Sequence, residues 1–448
     1  MKTGIEALHK AYAAARRRPL DVFEEVSAMV LAPDAHAHVF TALTLDRANR
    51  AARASDERWR AGQALGPLDG IPIVWKDVFD MAGTITTCGS RVLEHALPAR
   101  QDAALVSQLE KLGMVSIGKT TLSEFAYSGL GINPFPGTPR NPADARVARI
   151  PGGSSSGSAA AVALGWAPCG MGTDTSGSIR VPAAFQGLVG FKPSGGRYAT
   201  QGMFPLAPSM DTAGPLVRSV TDACLMDAAL TGQAGEHAGA LAEWTFIVPS
   251  GRALAQADAQ VQAVFDEARS RLARAGAKVV ARDFQPFEST RGVFEQHGTL
   301  VAVEATKVHE ALMASPDFSK VDARISARMR KGAALPKADR EAIQSSRAPL
   351  IRMADEHLAA KEVLLYPTVA MTAPELAPLE QDEAWFAECN LRVLHNTMLA
   401  SYLNMPTLSL PAGLAGDGLP VGISLSMAAG CDARLLGLGL AVERALAG

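Results

Sequence analysis

Apolar residues recur at helical spacing near the start of the chain, at Ile5, Leu8 and Tyr12 and then at Val22, Phe23, Val26 and Met29, with Pro19 between the two sets. The pattern predicts two short amphipathic helices, because positions three and four apart share one helical face and proline interrupts the ladder between them. From 44 to 62 alanine alternates with charge, which predicts one solvated helix whose basic cluster is a wet face and not a binding patch. The texture changes at Gly70, where Gly-Ile-Pro-Ile-Val-Trp-Lys-Asp-Val-Phe-Asp-Met predicts a buried strand entered through a turn. A helical pattern over 102–112 (Leu105, Leu109, Leu112) leads to the apolar segment Met114 to Ile117, and this alternation of strand and helix predicts an α/β fold.

The stretch from Ser123 to Arg149 is rich in Gly, Pro and Asn and reads as a long ordered loop of the kind that carries function. Beyond it the pattern predicts a small-residue helix over 158–167, a closely packed element over 181–190 and a helix over 218–231. Strands follow at 244–248 and 278–282 with a helix between them over 256–275, then a polar helical region over 295–360. A buried strand begins at Val363, a strand pair lies near 407–410 and 421–426, and a helix over 432–447 closes the chain. There is no internal repeat, and the apolar returns near the C-terminus imply one domain whose sheet uses both ends of the chain.

Composition narrows the partners. Lys plus Arg number 43 against 45 Asp plus Glu, a net charge of −2, so no electrostatic footprint for nucleic acid exists. Cys88, Cys169, Cys224, Cys389 and Cys431 are scattered, odd in number and without C-x-x-C spacing, which argues for buried thiols in a reducing compartment and against a disulfide framework or zinc site. The N-terminal residues lack an apolar signal core and no apolar run reaches membrane-spanning length; the expectation is a cytoplasmic protein with no membrane association.

The chemistry concentrates in two Gly/Ser nests, Pro151-Gly-Gly-Ser-Ser-Ser-Gly-Ser158 and Gly172-Thr-Asp-Thr-Ser-Gly-Ser178. Glycine lets successive backbone N–H groups converge on one anionic oxygen, and serine there can attack. A flexible linker would not be interrupted by Ala-Ala-Ala-Val-Ala-Leu and Gly-Leu-Val-Gly-Phe, which ask for burial. A serine hydroxyl needs a base. None of the nine histidines (His9, His36, His38, His95, His237, His297, His309, His357, His395) lies in a recognisable catalytic motif, and only His395, followed by Asn396 and Thr397, is kept as an alternative. Lys76 ends the apolar run from Gly70, where desolvation would lower its pKa toward the working range; for a lysine considered alone, snorkelling to solvent or pairing with Asp77 is the competing reading.

Three blocks in this order, Gly70-Ile-Pro-Ile-Val-Trp-Lys76-Asp77, Pro151 to Ser158, and Gly172 to Ala183 followed by Gly190-Phe-Lys-Pro193, resemble the amidase signature family, the Ser-cisSer-Lys hydrolases. Ser154 and Ser178 stand 24 positions apart, the interval of that family's two serines, and Gly118 to Phe125, Ser209 to Pro215 and Arg218-Ser-Val extend the likeness. The resemblance implies a single large domain (1–448) with a central mixed β-sheet covered by helices on both faces. Within it, 1–64 would be N-terminal helices, 65–225 the catalytic core, 226–362 a variable region and 363–448 a part returning to the sheet. It implies that Ser178 attacks, that Ser154 relays its proton across a cis Gly153–Ser154 peptide and that Lys76 is the base. The oxyanion hole would be the backbone N–H groups of Thr175, Ser176, Gly177 and Ser178; Ser176 stands where the family most often has glycine. Asp174 and Arg180 are expected to hold the loop as an ion pair.

The implied activity is hydrolysis of a small carboxylic amide through an acyl-enzyme, with no cofactor and no metal. Pocket walls are expected from Phe125, Tyr127, Gly129, Leu130 and Gly131, from Gly202 to Pro205, and from Met371 and Asn396, a set more apolar than charged that favours an aryl or alkyl amide. A homodimer is the assembly considered. The alternatives are a carbamoyl or biuret-type hydrolase, an amidotransferase A-type subunit working with a partner chain, and a non-catalytic binding protein of the same fold. The long tyrosine-rich helical segment of the amidotransferase class is absent from the sequence.

Overall fold

The computed structural model describes residues 3–32 and 38–447; His36 lies outside the described residues. Eleven strands form one mixed sheet: β1 (Phe40–Leu43), β2 (Pro72–Lys76), β3 (Val115–Thr120), β4 (Cys169–Asp174), β5 (Val189–Lys192), β6 (Thr212–Val217), β7 (Thr245–Ser250), β8 (Lys278–Asp283), β9 (Glu362–Pro367), β10 (Thr407–Leu414) and β11 (Pro420–Ser426). Their order across the sheet is β1-β3-β2-β4-β6-β5-β10-β11-β9-β7-β8. Pairings β2/β3, β2/β4, β7/β8 and β7/β9 are parallel, while β4/β6, β5/β6, β5/β10, β10/β11 and β9/β11 are antiparallel. The C-terminal strands β10 and β11 thus sit in mid-sheet between N-terminal and central segments, and seventeen α-helices among the described residues flank the single domain.

Strands β2, β3, β4, β5 and β6 are buried along their whole length, as expected of strands covered on both sides. The run from Gly70 to Met81 makes a strand only over β2, because the chain turns at Lys76, whose carbonyl accepts from Val78 and Phe79 N–H at 2.7 and 3.1 Å. The Pro19 break yields helices Ile5–Ala13 and Pro19–Leu31, with proline at the first helical position.

The helix Leu45–Arg60 departs from the expected solvated rod. Ala48, Ala52, Ser55 and Asp56 are buried on its inner face. Two of its arginines are tied to the body: Arg47 binds Asp102 and Glu110, both at 2.6 Å, and Arg58 binds Asp69 at 2.5 Å. Small alanines allow this close approach, and a hydropathy pattern that counts them as neutral misses it. No helix among the described residues is long and apolar enough to cross a membrane.

Candidate active site

Strands β2 and β4 run parallel with Trp75 opposite Met171, so Lys76 and Thr173–Asp174 emerge together at their C-terminal edge, where open α/β sheets place ligands. The helix Ser156–Leu164 packs closely on β4; a Cβ at Gly172 would stand 2.6 Å from Ser155 Oγ, so only glycine permits the contact. The loop before that helix crosses the strand ends. Ser155 N–H donates to the Ser178 carbonyl at 3.1 Å and Ser155 Oγ to the Thr173 carbonyl at 3.2 Å, which locks the two Gly/Ser nests side by side.

The Gly153–Ser154 peptide is cis. Lys76 Nζ lies 2.6 Å from Ser154 Oγ and donates to Thr173 Oγ1 at 2.7 Å. Lys76 and Ser154 are fully enclosed, and among the described residues no carboxylate pairs directly with Lys76 at ion-pair distance; Asp77, its neighbour, pairs with Lys119 at 2.6 Å. Burial therefore governs Lys76 and pushes its pKa down to about 7, against the smaller opposing fields of Asp211 and Asp174. Ser178 keeps 5 % of its surface exposed, and its hydroxyl makes no hydrogen bond to the described residues.

The nest from Thr175 to Ser178 is held from three sides. Thr175 Oγ1 donates to Asp211 at 2.6 Å, and Asp211 also accepts from Leu206 and Ala207 N–H. Thr397 Oγ1 donates to the Ser176 carbonyl at 2.5 Å. Gly177 has φ +144°, and a Cβ there would meet Thr397 Oγ1 at 2.2 Å, so both conformation and space require glycine. The backbone N–H groups of Ser176, Gly177 and Ser178 have no partner among the described residues, leaving them free for an oxyanion.

Asp174 and Arg180 form a fully buried bidentate pair, both contacts 2.9 Å. Burial raises the Asp174 pKa, but Arg180 more than offsets this and holds it below the ordinary carboxylate range. Arg180 also donates to the Thr397 carbonyl at 2.9 Å and to Ser401 Oγ at 2.5 Å, so its guanidinium is spent on the frame.

The loop from Ser123 to Gly131 wraps the other side. Ser123 N–H donates to the Ser154 carbonyl at 3.2 Å, and the Gly129 carbonyl accepts from Gly153 N–H at 2.8 Å. Phe125 and Ala126 adopt positive φ of 52° and 60°, unusual for side-chain-bearing residues and a mark of local strain. The Phe125 ring lies 4.6 Å from His309 and 5.9 Å from Phe204. Leu130 and Met371 join one apolar cluster with Leu394. Asn396 is buried and spends its amide on the Pro367 carbonyl and Ala255 N–H, each at 2.9 Å. His395 contacts the Ala253 carbonyl at 3.1 Å; burial and then Arg291 push its pKa down to about 4.

Sequence reasoning misses Thr173, Asp211, Thr397 and Asn390 as parts of the site. Asn390 Oδ1 accepts from Ser128 Oγ at 3.0 Å and Gly129 N–H at 2.8 Å. Thr173 lies inside the Gly172 to Ser178 block and Asp211 inside Ser209 to Pro215, so each carries a signal; Thr397 and Asn390 act on the site from more than two hundred positions away. Among the described residues no cluster of three or more His, Cys, Asp or Glu is placed to hold a metal ion.

Residues 28–436 match the model of the Amidase family. The 2-amino-5-chloromuconic acid deaminase of Comamonas testosteroni is 34% identical over 407 residues, covering 89% of this chain and 86% of that protein. The A-type subunit of the glutamyl-tRNA(Gln) amidotransferase of Acidothermus cellulolyticus is 33% identical, covering 93% of this chain and 89% of its own. A crystal structure of an amidase superposes with a TM-score of 0.86 at 32% identity over 99% of both chains.

Proposed function

The chain belongs to the Amidase family and hydrolyses amide C–N bonds, and we propose that it does so on a small linear amide through a seryl acyl-enzyme on Ser178. The observation that carries this reading is the enclosed amine of Lys76, 2.6 Å from Ser154 Oγ with a pKa near neutrality. A neutral lysine offers a lone pair to the Ser154 hydroxyl, while its own N–H holds Thr173 Oγ1.

In the acylation step Ser178 Oγ forms a bond to the amide carbon, its proton passes to Ser154, and the Ser154 proton passes to Lys76. The resulting oxyanion is received by the backbone N–H groups of Thr175 to Ser178. The C–N bond then breaks as the proton returns through Ser154 to the leaving nitrogen. Water repeats the sequence on the ester and releases the acid. Ser176 lends its N–H and its carbonyl to this frame, which leaves its side chain free to border the substrate.

Incubating the protein with a panel of small amides and measuring intact mass tests the assignment. A mass increase mapped to the Ser178 peptide, lost in Ser178→Ala together with at least ~10³-fold of the rate, is the expected result; an adduct elsewhere, or equal rates in both proteins, would sink it. The likeness to one chain of an amidotransferase supplies the competing reading, in which ammonia release from simple amides needs a partner chain. The helix Lys337–Glu356, free of aromatic residues, favours the partner-independent enzyme, and turnover by the isolated chain decides between them.

A further inference from the structure

The loop that wraps Ser154 carries a cation contact that the mechanism above does not use. Arg328, on the helix Ala323–Ala333, places its guanidinium 4.5 Å from the centroid of the Tyr127 ring. Its Nε is enclosed without a hydrogen-bond partner, and neither Nη group bonds or ion-pairs to any described residue. Burial lowers its pKa, with Tyr127 as the one nearby group acting the other way. Other arginines of this helix are satisfied: Arg324 is held by Asp322 at 2.6 Å, and Arg330 lies at the surface over Phe318. Arg328 is half-buried, and its guanidinium, with an unpartnered enclosed Nε and unbonded Nη groups, has donors to offer a ligand.

Tyr127 is buried more deeply than Arg328. It is 3 % exposed, yet its hydroxyl has no hydrogen-bond partner among the described residues. Both groups lie on elements tied to the loop around Ser154. Tyr127 sits between Ser123 and Gly129, the two points where its loop is hydrogen-bonded to Ser154 and Gly153. The Arg328 helix is tied to that loop by Asp322 N–H, which donates to Glu124 Oε2 at 2.8 Å. An unpaired guanidinium set over a ring whose own hydroxyl is unbonded forms a receptor for a planar anion.

We propose that Arg328, with the Tyr127 hydroxyl, receives a carboxylate of the substrate, so that the substrate class is an amide bearing a free carboxylate, such as the half-amide of a short diacid. This assignment rests on Ser178 being the acylated residue for its catalytic meaning, but not for binding. It replaces the aryl or alkyl amide favoured by the apolar walls. The guanidinium fork matches a carboxylate bidentately, which a lysine at the same place would not do.

Two measurements test it. In the first, kcat/KM is compared for succinamate and glutaramate against succinamide and glutaramide. The expected preference for the acidic member is roughly 100-fold, the order supplied by one charge-assisted hydrogen-bonded pair. Arg328→Met should bring that ratio close to one, mainly through KM, Arg328→Lys should restore part of it, and Arg330→Met should leave it unaltered. In the second, succinate and glutarate should raise the melting temperature of the native protein and of Ser178→Ala, but not of Arg328→Met. Equal rates on both members of each pair with no stabilisation by the diacids, or an Arg328→Met loss of the same size on acid and diamide, would overturn the proposal. Diacid stabilisation that depends on Arg328 in a protein whose Ser178 is never acylated would uphold the subsite and overturn the nucleophile assignment.

Discussion

At the scale of single residues the decisive quantity is the protonation of Lys76. A pKa of about 7, set by burial, means that the neutral amine needed as base is the minor form below pH 7 and the major form above it. kcat/KM on a neutral amide is therefore expected to rise with pH through a midpoint near 7 and then level. Lys76→Ala should lose about 10³-fold, within the range for a positioned general base, and the residual rate should lack that inflection; near-normal turnover in the variant would return attention to His395. The residues of the proposed relay are legible in the sequence because their motif is local: Lys76 ends an apolar run, and the serines sit in contiguous Gly/Ser blocks. Arg328 is not legible. It stands in a helix with Arg324, Arg330 and Lys331, and a linear reading has no means to tell the one arginine stacked on Tyr127 from its paired or exposed neighbours.

At the scale of elements, the nest works only while its supports hold it. Thr397→Val keeps the shape of the side chain but removes the hydrogen bond to the Ser176 carbonyl. A lost hydrogen bond of this kind is worth about 1–1.5 kcal/mol, so kcat should fall about tenfold with the melting temperature little changed; a shifted melting temperature with unchanged kcat would assign Thr397 to the fold alone. Arg180→Met is a harsher test, because it strands Asp174 without its partner in a fully enclosed position. Breaking such a pair costs about 3–5 kcal/mol, and a denaturation midpoint that hardly moves would refute the buried-pair account. Two elements here escape the sequence pattern. Strand β4 reads Cys-Gly-Met-Gly-Thr-Asp and β6 reads Thr-Ala-Gly-Pro-Leu-Val, with no alternation and with a proline that argues against a central strand. Their glycines answer to neighbours and not to strand propensity: a Cβ at Gly214 would stand 2.1 Å from the Phe191 carbonyl oxygen. Strands β7, β8 and β9 carry contiguous apolar runs, Phe246 to Val248, Val279 to Ala281 and Val363 to Tyr366, which announce them.

At the scale of the whole molecule, the sheet encloses two lysines whose pKa burial lowers. Lys192 ends β5 beside the Asp174–Arg180 pair, donates only to the Pro193 carbonyl at 2.8 Å, and is pushed down to about 7 by burial and by Arg180; Lys76 is pushed down to the same level. In the unfolded chain each would titrate near 10.4. Between about pH 7 and 10 the unfolded state thus holds more protons than the folded state, and linkage makes stability rise with pH across that window. These lysines therefore withhold stability as pH falls toward 7, by up to ~1.4 kcal/mol per pH unit for each. Lys192→Met removes one of the two without touching Ser154 or Ser178. The variant should be more stable than the native protein near pH 7, and its advantage should shrink steadily toward pH 9.5 in urea titrations at matched ionic strength. Other titrating groups, including the buried tyrosines, affect both proteins alike and cancel in that difference. An advantage that stays constant with pH would mean that Lys192 is charged in the folded state, and the interior around the Asp174–Arg180 pair would then have to be polar enough to hold a second cation.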